Sequence, residues 1–267
     1  MDGQLLVIFG LTFVIHVIGV LAYAARIAGT RTGRIAVSLA LFNVLMLLSR
    51  LSNSFQAPLL AKRVEENLLT GNLGSARSDF RWLLVAPILA TIVGALLIPT
   101  FQRLFGRMIE SFSVHRSVPR LLLHSFSKAG LAHIRDAIRI PAGDNVTQLR
   151  EPWHVPVGVL VANVIATAVW TVGVFASLYA GYFDPHLRVT ASNLSAIING
   201  GATILMFLLI DPYLSVLTDD VVQGKSSDSL FRKTLIWLLA SRLAGTVLAQ
   251  VLLVPAANVI TFVARGL

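Results

Sequence analysis

The chain reads as an all-α, polytopic membrane protein with six transmembrane helices, and three observations lead there. Of its 267 residues, 55% are hydrophobic and only 13% are charged, about half the ~25% of an ordinary soluble domain. Mean hydropathy is +0.76. The apolar residues gather into six runs, each near the roughly 20 residues needed to cross about 30 Å of hydrocarbon. None shows the period-two alternation of a barrel strand. A soluble globule could not cover its surface with so few charges, which excludes most soluble enzymes. The formal charge of +9 would suggest nucleic acid in a soluble chain; here it suits cytoplasmic loops lying against anionic lipid. Cysteine is absent, which rules out disulfides, thiolate chemistry and Cys-ligated metals.

The spans fall at about residues 4–25, 35–57, 82–101, 155–183, 193–217 and 234–262, within a single membrane domain over 1–267. The first is expected to stay in the chain rather than be cleaved as a signal peptide. Met1-Asp2-Gly3-Gln4 carries no positive charge, and the apolar run is too long for an h-region. Counting Lys and Arg in alternate loops gives fourteen on one side and six on the other. Positively charged loops stay inside, so both termini are expected outside. Trp82, Trp153 and Trp237 stand at span starts, where amphipathic rings prefer the membrane interface.

The loop over 102–154 is the one sizeable segment between spans. From Pro119 to Pro141 it reads as an amphipathic cytoplasmic helix. At 100° per residue, Arg120, His124, Lys128, Arg135 and Arg139 share one sector, opposite Leu122, Phe126, Ile134 and Ile140. Such a two-faced helix suits an anionic headgroup boundary, or alternatively a solvated surface packed on the bundle. Nothing aromatic interleaves with the charges to stack bases, so no nucleic-acid partner is expected. Six spans also divide into two groups of three, and an odd count per half forces opposite insertion, the arithmetic of a 3+3 inverted repeat. Ala95-Leu96-Leu97-Ile98-Pro99 and Val251-Leu252-Leu253-Val254-Pro255, closing spans three and six, are a thin hint of it.

Enzyme signatures are missing. The chain has no Gly-rich phosphate loop ending in Lys-Ser/Thr, no His-Glu-x-x-His and no Gly-x-Ser-x-Gly. Glu65-Glu66 and Asp219-Asp220 are adjacent, and adjacent helical positions point apart. No catalytic residue, metal or cofactor is expected. The informative residues are instead polar groups at membrane depth, which cost about 2.5–3.5 kcal/mol each when charged. Span two carries Asn43, Arg50, Asn53 and Gln56; span five Asn199 and Asp211; span six Arg242 and Gln250; span one His16. These form the expected polar interior. Span four has no charge and shows small residues at Gly158, Ala162 and Ala166, then at Gly173, Ser177 and Gly181, ridges that allow close helix approach. Those ridges serve folding within a chain or association between chains, so a homo-oligomer stays open.

At about 1.5 Å per residue, Asp211 and Arg242 lie some 9 and 12 Å inside the cytoplasmic boundary, where they are expected to pair. Arg50 lies about 22 Å in, toward the outer half, facing a hydrated cavity or an anion. Plainer roles stand beside these: Arg50 can snorkel outward past Pro58, Asp211 with Arg242 can be a structural bolt, His16 can be a hydrogen-bonded core residue, and Asn199-Gly200-Gly201 can simply permit packing.

One stretch carries a resemblance. His16, then Ala22-Tyr23-Ala24-Ala25-Arg26-Ile27-Ala28-Gly29-Thr30-Arg31-Thr32-Gly33, Leu41-Phe42-Asn43 and Ser49-Arg50-Leu51-Ser52-Asn53-Ser54-Phe55-Gln56-Ala57-Pro58, resembles the Amj family of bacterial lipid II flippases, named as alternates to MurJ. The resemblance is strongest over 14–64 and implies translocation of lipid II, an undecaprenyl-pyrophosphate glycopeptide, from the inner to the outer leaflet of the cytoplasmic membrane for peptidoglycan synthesis. Joined to the residue reading, it gives a relay. Arg26, Arg31 and Arg34 collect the headgroup, Arg242, released from Asp211, takes the pyrophosphate, and Arg50 receives it, while the tail stays among membrane lipids. The rival readings are a membrane enzyme acting on polyprenyl (pyro)phosphates and a small-solute transporter or scaffold.

Overall fold

The computed structural model describes residues 2–72, 74–115 and 155–267. The basic helix expected between Pro119 and Pro141 lies outside them. Every described element is helical, and six helical stretches are long and apolar enough to cross a membrane.

Helix α1 (Gly3–Thr32) starts at Asp2, whose carboxylate accepts from the Leu5 amide at 2.9 Å, and stops at Gly33, whose φ of 65° is a left-handed cap that glycine adopts without strain. Helix α2 (Ile35–Thr70) runs through Pro58 instead of ending beside it. The pyrrolidine removes one ladder bond, while the turns beyond it are held by buried Leu60, Val64 and Asn67. The short helix α3 (Ala76–Leu83) lies at the membrane end and leads into α4 (Val85–His115), which contains Pro99. Helix α5 spans Val157–Phe183. The fifth crossing is broken. After a 3-10 turn, α6 (Arg188–Leu205) passes through a π-turn at Met206–Ile210 into α7 (Asp211–Val222), with Pro212 in its first turn. Proline lacks the amide that would continue the ladder, and π-turns of this kind recur at functional sites. Helix α8 (Asp228–Gly266) is capped by the Ser227 hydroxyl, which accepts from the Leu230 amide.

The packing repeats in the two halves. α2 and α4 lie chiefly against α1, and α6 and α8 lie chiefly against α5. α1 and α5 cross in opposite directions, so this is the pattern a 3+3 inverted repeat would give. Each half is thus centred on its first helix, and α5 is the most enclosed of the six spans. Close approach is bought with small residues: a Cβ on Gly245 would sit 2.7 Å from the Val164 carbonyl oxygen, and one on Gly94 would sit 2.8 Å from Val20 Cβ. α1 and α2 are stitched by polar groups, with Ser38 Oγ donating to the Ala25 carbonyl at 2.7 Å, Ser49 Oγ to that of Ile15 at 3.3 Å, and Gln56 Nε2 to Thr12 Oγ1 at 2.7 Å.

The face carrying both termini is closed by ion pairs. Arg63 bonds Asp79 at 2.7 Å and also Asp2, and Arg265 bonds Asp184 at 3.2 Å. Behind them Phe80, Phe175, Tyr179 and Tyr182 pack edge to face.

Candidate functional site

Between the two halves lies a cavity of about 180 Å³. α1 contributes Gly19, Tyr23 and Arg26, α2 contributes Asn43, Ser49 and Arg50, and the second half supplies Asn163, Thr203, Asp211 and Arg242. α4 gives nothing to it. At about 30 Å³ per water molecule, it holds roughly six.

Helical spacing explains which side chains reach it. Asn43 and Arg50 are seven residues apart, two turns, and so share a face of α2. Ser38, Ser49 and Gln56 repeat at eleven and seven, so they share another face, the one bonded to α1. Ser49 stands at the edge of both. The polar run in α2 therefore does two jobs, cavity lining and helix stitching.

Asp211 does not pair with Arg242. Its Oδ1 accepts from Arg26 Nη2 at 2.7 Å, and Arg26 is 6% exposed. The guanidinium also lies over the Phe42 ring, 5.3 Å from its centroid, a cation–π contact. The expectation failed because α1 does not end at residue 25. It continues to Thr32, which puts Arg26 inside the bundle and within reach of the broken fifth crossing. Arg242 instead lies against α1 at Gly19, where a Cβ would come within 2.5 Å of its Nη2, and shares the cavity wall with Tyr23. Its Nε is buried without a partner.

Arg50 and Arg242 stand at similar positions along their own helices. Counted from the observed helix starts at Ile35 and Asp228, Arg50 lies about 22 Å in and Arg242 about 21 Å, at 1.5 Å per residue. Both stand near mid-helix, with the Arg26–Asp211 pair closer to the end that bears the α1–α2 and α7–α8 turns.

The other expected residues divide. Asn43 lines the cavity. Asn53 is partly exposed outside its lining, and Gln56 is spent on Thr12. His16 is buried beside Arg242, with Nδ1 unpartnered, behind the cavity wall. Asn199 presses its Oδ1 against Gly173 of α5. Gln250 donates to the Arg81 carbonyl at 3.0 Å and lines a separate recess at the termini face with Arg77 and Trp82. Arg34 is exposed at the start of α2, and Arg31 borders a different cavity, between α1, α4 and α8. Of the cavity's polar groups, sequence reasoning missed Asn163, which donates to the Leu238 carbonyl at 2.8 Å and to Ser241 Oγ at 2.7 Å. A lone Asn in an otherwise apolar span was the available signal.

Fold and site together define a six-span helical membrane protein whose two halves enclose a small cationic chamber near the middle of its helices, the layout of a translocating protein. The family model described as Amj, alternate to MurJ, matches residues 11–264. The chain is 36% identical over 266 residues, 98% of its own length and 97% of the relative's, to the protein of Bacillus subtilis (strain 168) named lipid II flippase Amj. The chain belongs to the Amj family. No solved structure matches it.

Proposed function

We propose that the protein is a lipid II flippase of the bacterial cytoplasmic membrane, working in peptidoglycan synthesis with both termini outside. The family membership supports the activity. The carrying observation is that Arg50 and Arg242, from opposite halves, line one cavity near the middle of their helices. A diphosphate crossing hydrocarbon needs such a foothold, and guanidinium groups bind phosphate oxygens through paired, charge-assisted hydrogen bonds. Arg26 is held in reserve by Asp211. An arriving diphosphate competes with that carboxylate for the same donors.

The chamber of about 180 Å³ accepts a diphosphate but not a disaccharide-pentapeptide. Passage of the headgroup therefore requires the halves to part. The π-turn at Met206–Ile210, next to Asp211, is the weak point in the wall where that parting begins. The test is translocation of labelled lipid II in proteoliposomes. The Arg50→Gln and Arg242→Gln variants should each lose it while reaching the membrane in normal amounts. Full transport by both would sink the mechanism, and phosphate release by the purified protein would favour the enzyme reading.

A further inference from the structure

A second cavity, of about 430 Å³, runs along the outside of the bundle between α4 and α8, with α1 as its floor. Its wall is apolar for most of its length. Ile92 and Leu96 of α4 stand opposite Leu239 and Leu243 of α8, and Ile92 and Leu96 are 43% and 55% exposed, open to the surrounding lipid. The character changes at the end near the α7–α8 turn. There the lining residues are Gln102, Arg31 and Arg232. Arg31 also feels the charge of Arg103, and Asp228 lies near enough to offset part of that repulsion, so guanidinium groups outnumber carboxylates at this mouth. Arg232 has a single loose pairing, 3.6 Å from Asp228, and among the described residues no carboxylate forms an ion pair with Arg31. Asp228 offsets only part of this clustered positive charge, and a further anion relieves the rest.

An apolar trench that opens sideways into the bilayer and ends in cations matches one chemistry, a long-chain lipid whose headgroup begins with phosphate. We propose that this groove holds the transported lipid on the loading side, its polyprenyl chain along Ile92, Leu96, Leu239 and Leu243 and its first phosphate on Arg31 and Arg232. The proposal rests on the flippase reading and gives it a docking site. The groove is also well placed for transfer. Leu239 and Leu243 face it while their neighbour Arg242 faces the central cavity, and α1 and α8 touch each other only sparingly between the two. A phosphate leaving Arg31 and Arg232 for Arg242 rounds the edge of α8 and advances about 15 Å along it, and the tail stays in the groove.

The hydrocarbon tail gains little by leaving lipid for an apolar groove, so selectivity comes from the phosphate contacts and the shape of the trench. The purified full chain in detergent, examined by native mass spectrometry, should retain undecaprenyl phosphate in preference to phosphatidylglycerol. Arg31→Gln/Arg232→Gln should weaken that binding by about tenfold or more, the loss expected for charge-assisted contacts. Leu96→Trp fills the trench at a lipid-exposed position that folding tolerates, and should weaken it comparably. Equal retention of phosphatidylglycerol, full displacement by soluble pyrophosphate, or unchanged binding by Leu96→Trp would each overturn the groove. If wild-type protein binds undecaprenyl phosphate in this way yet moves no lipid II in proteoliposomes, the flippase reading falls and the groove stands. If it moves lipid II and Leu96→Trp does so equally well, the groove falls and the flippase reading stands.

Discussion

Asp211→Asn is the most informative single change, because two candidate partners give different outcomes. The substitution leaves Arg26, 6% exposed, as a charge in a low-dielectric interior with nothing opposite it. Breaking a buried ion pair by removing one member costs about 3–5 kcal/mol. Asp211 itself keeps 29% exposure toward the cavity, so the low end applies, about 3 kcal/mol. For a chain of this size that lowers the melting temperature by roughly 6–12 °C. Neutralising both members removes the stranded charge, so Arg26→Gln/Asp211→Asn should recover much of the loss. The assay is a double-mutant cycle by thermal melting in detergent. Coupling between Arg26 and Asp211 should reach about 1–3 kcal/mol, and that between Asp211 and Arg242, which share the cavity without an ion pair, should be clearly smaller. Coupling to Arg242 in place of Arg26 would refute the assignment of the pair and, with it, the place of α1 in the cavity wall.

Other outcomes follow from the same geometry. Gly19→Ala brings a Cβ to 2.5 Å from Arg242 Nη2, the free end of a flexible side chain, so lipid II transport should fall sharply in proteoliposomes with little change in melting. Gly245→Ala meets the Val164 carbonyl at 2.7 Å and Thr167 Cβ at 2.8 Å, neither able to swing aside. It should lose about 1–3 kcal/mol of stability by overpacking the α5–α8 contact, measured by the same melt. Bonding to Arg63 and to the Leu5 amide holds the Asp2 carboxyl below its ordinary value of 3.8. A depressed carboxyl stabilises the fold above that value, and the contribution is lost as pH falls through the native value. Melting from about pH 5 down to pH 3 should therefore show a drop in wild type that is smaller in Arg63→Gln, which also loses Asp79. An identical pH profile in the two would remove Arg63 as the cause.

Much of the architecture was legible in the residues. Six apolar runs became six crossings because a backbone in hydrocarbon has no water to bond, and a helix is the local solution. The absence of charge in residues 155–183, with glycine and alanine spaced along it, foretold the enclosed place of α5. The division of labour on α2 was also written in its spacing, Asn43 with Arg50 and Ser38 with Ser49 and Gln56, although composition alone merged the two faces into one polar interior. Arg50 and Arg242 were singled out because arginine at that depth is expensive without a purpose.

Other features depended on where helices end and how they lean together. Counting from residue 25 put Arg26 outside the bundle, since boundaries set by hydropathy ignore the polar turns a helix keeps beyond the hydrocarbon. α1 in fact runs to Thr32 and α8 begins at Asp228. The choice of Arg26 over Arg242 as partner of Asp211 turned on a few ångströms of approach, and a Coulomb interaction depends on that distance rather than on order along the chain. Periodicity states which residues share a helix face. Which face meets which neighbour is fixed only when all six helices pack at once, and that collective choice created the chamber and the groove beside it.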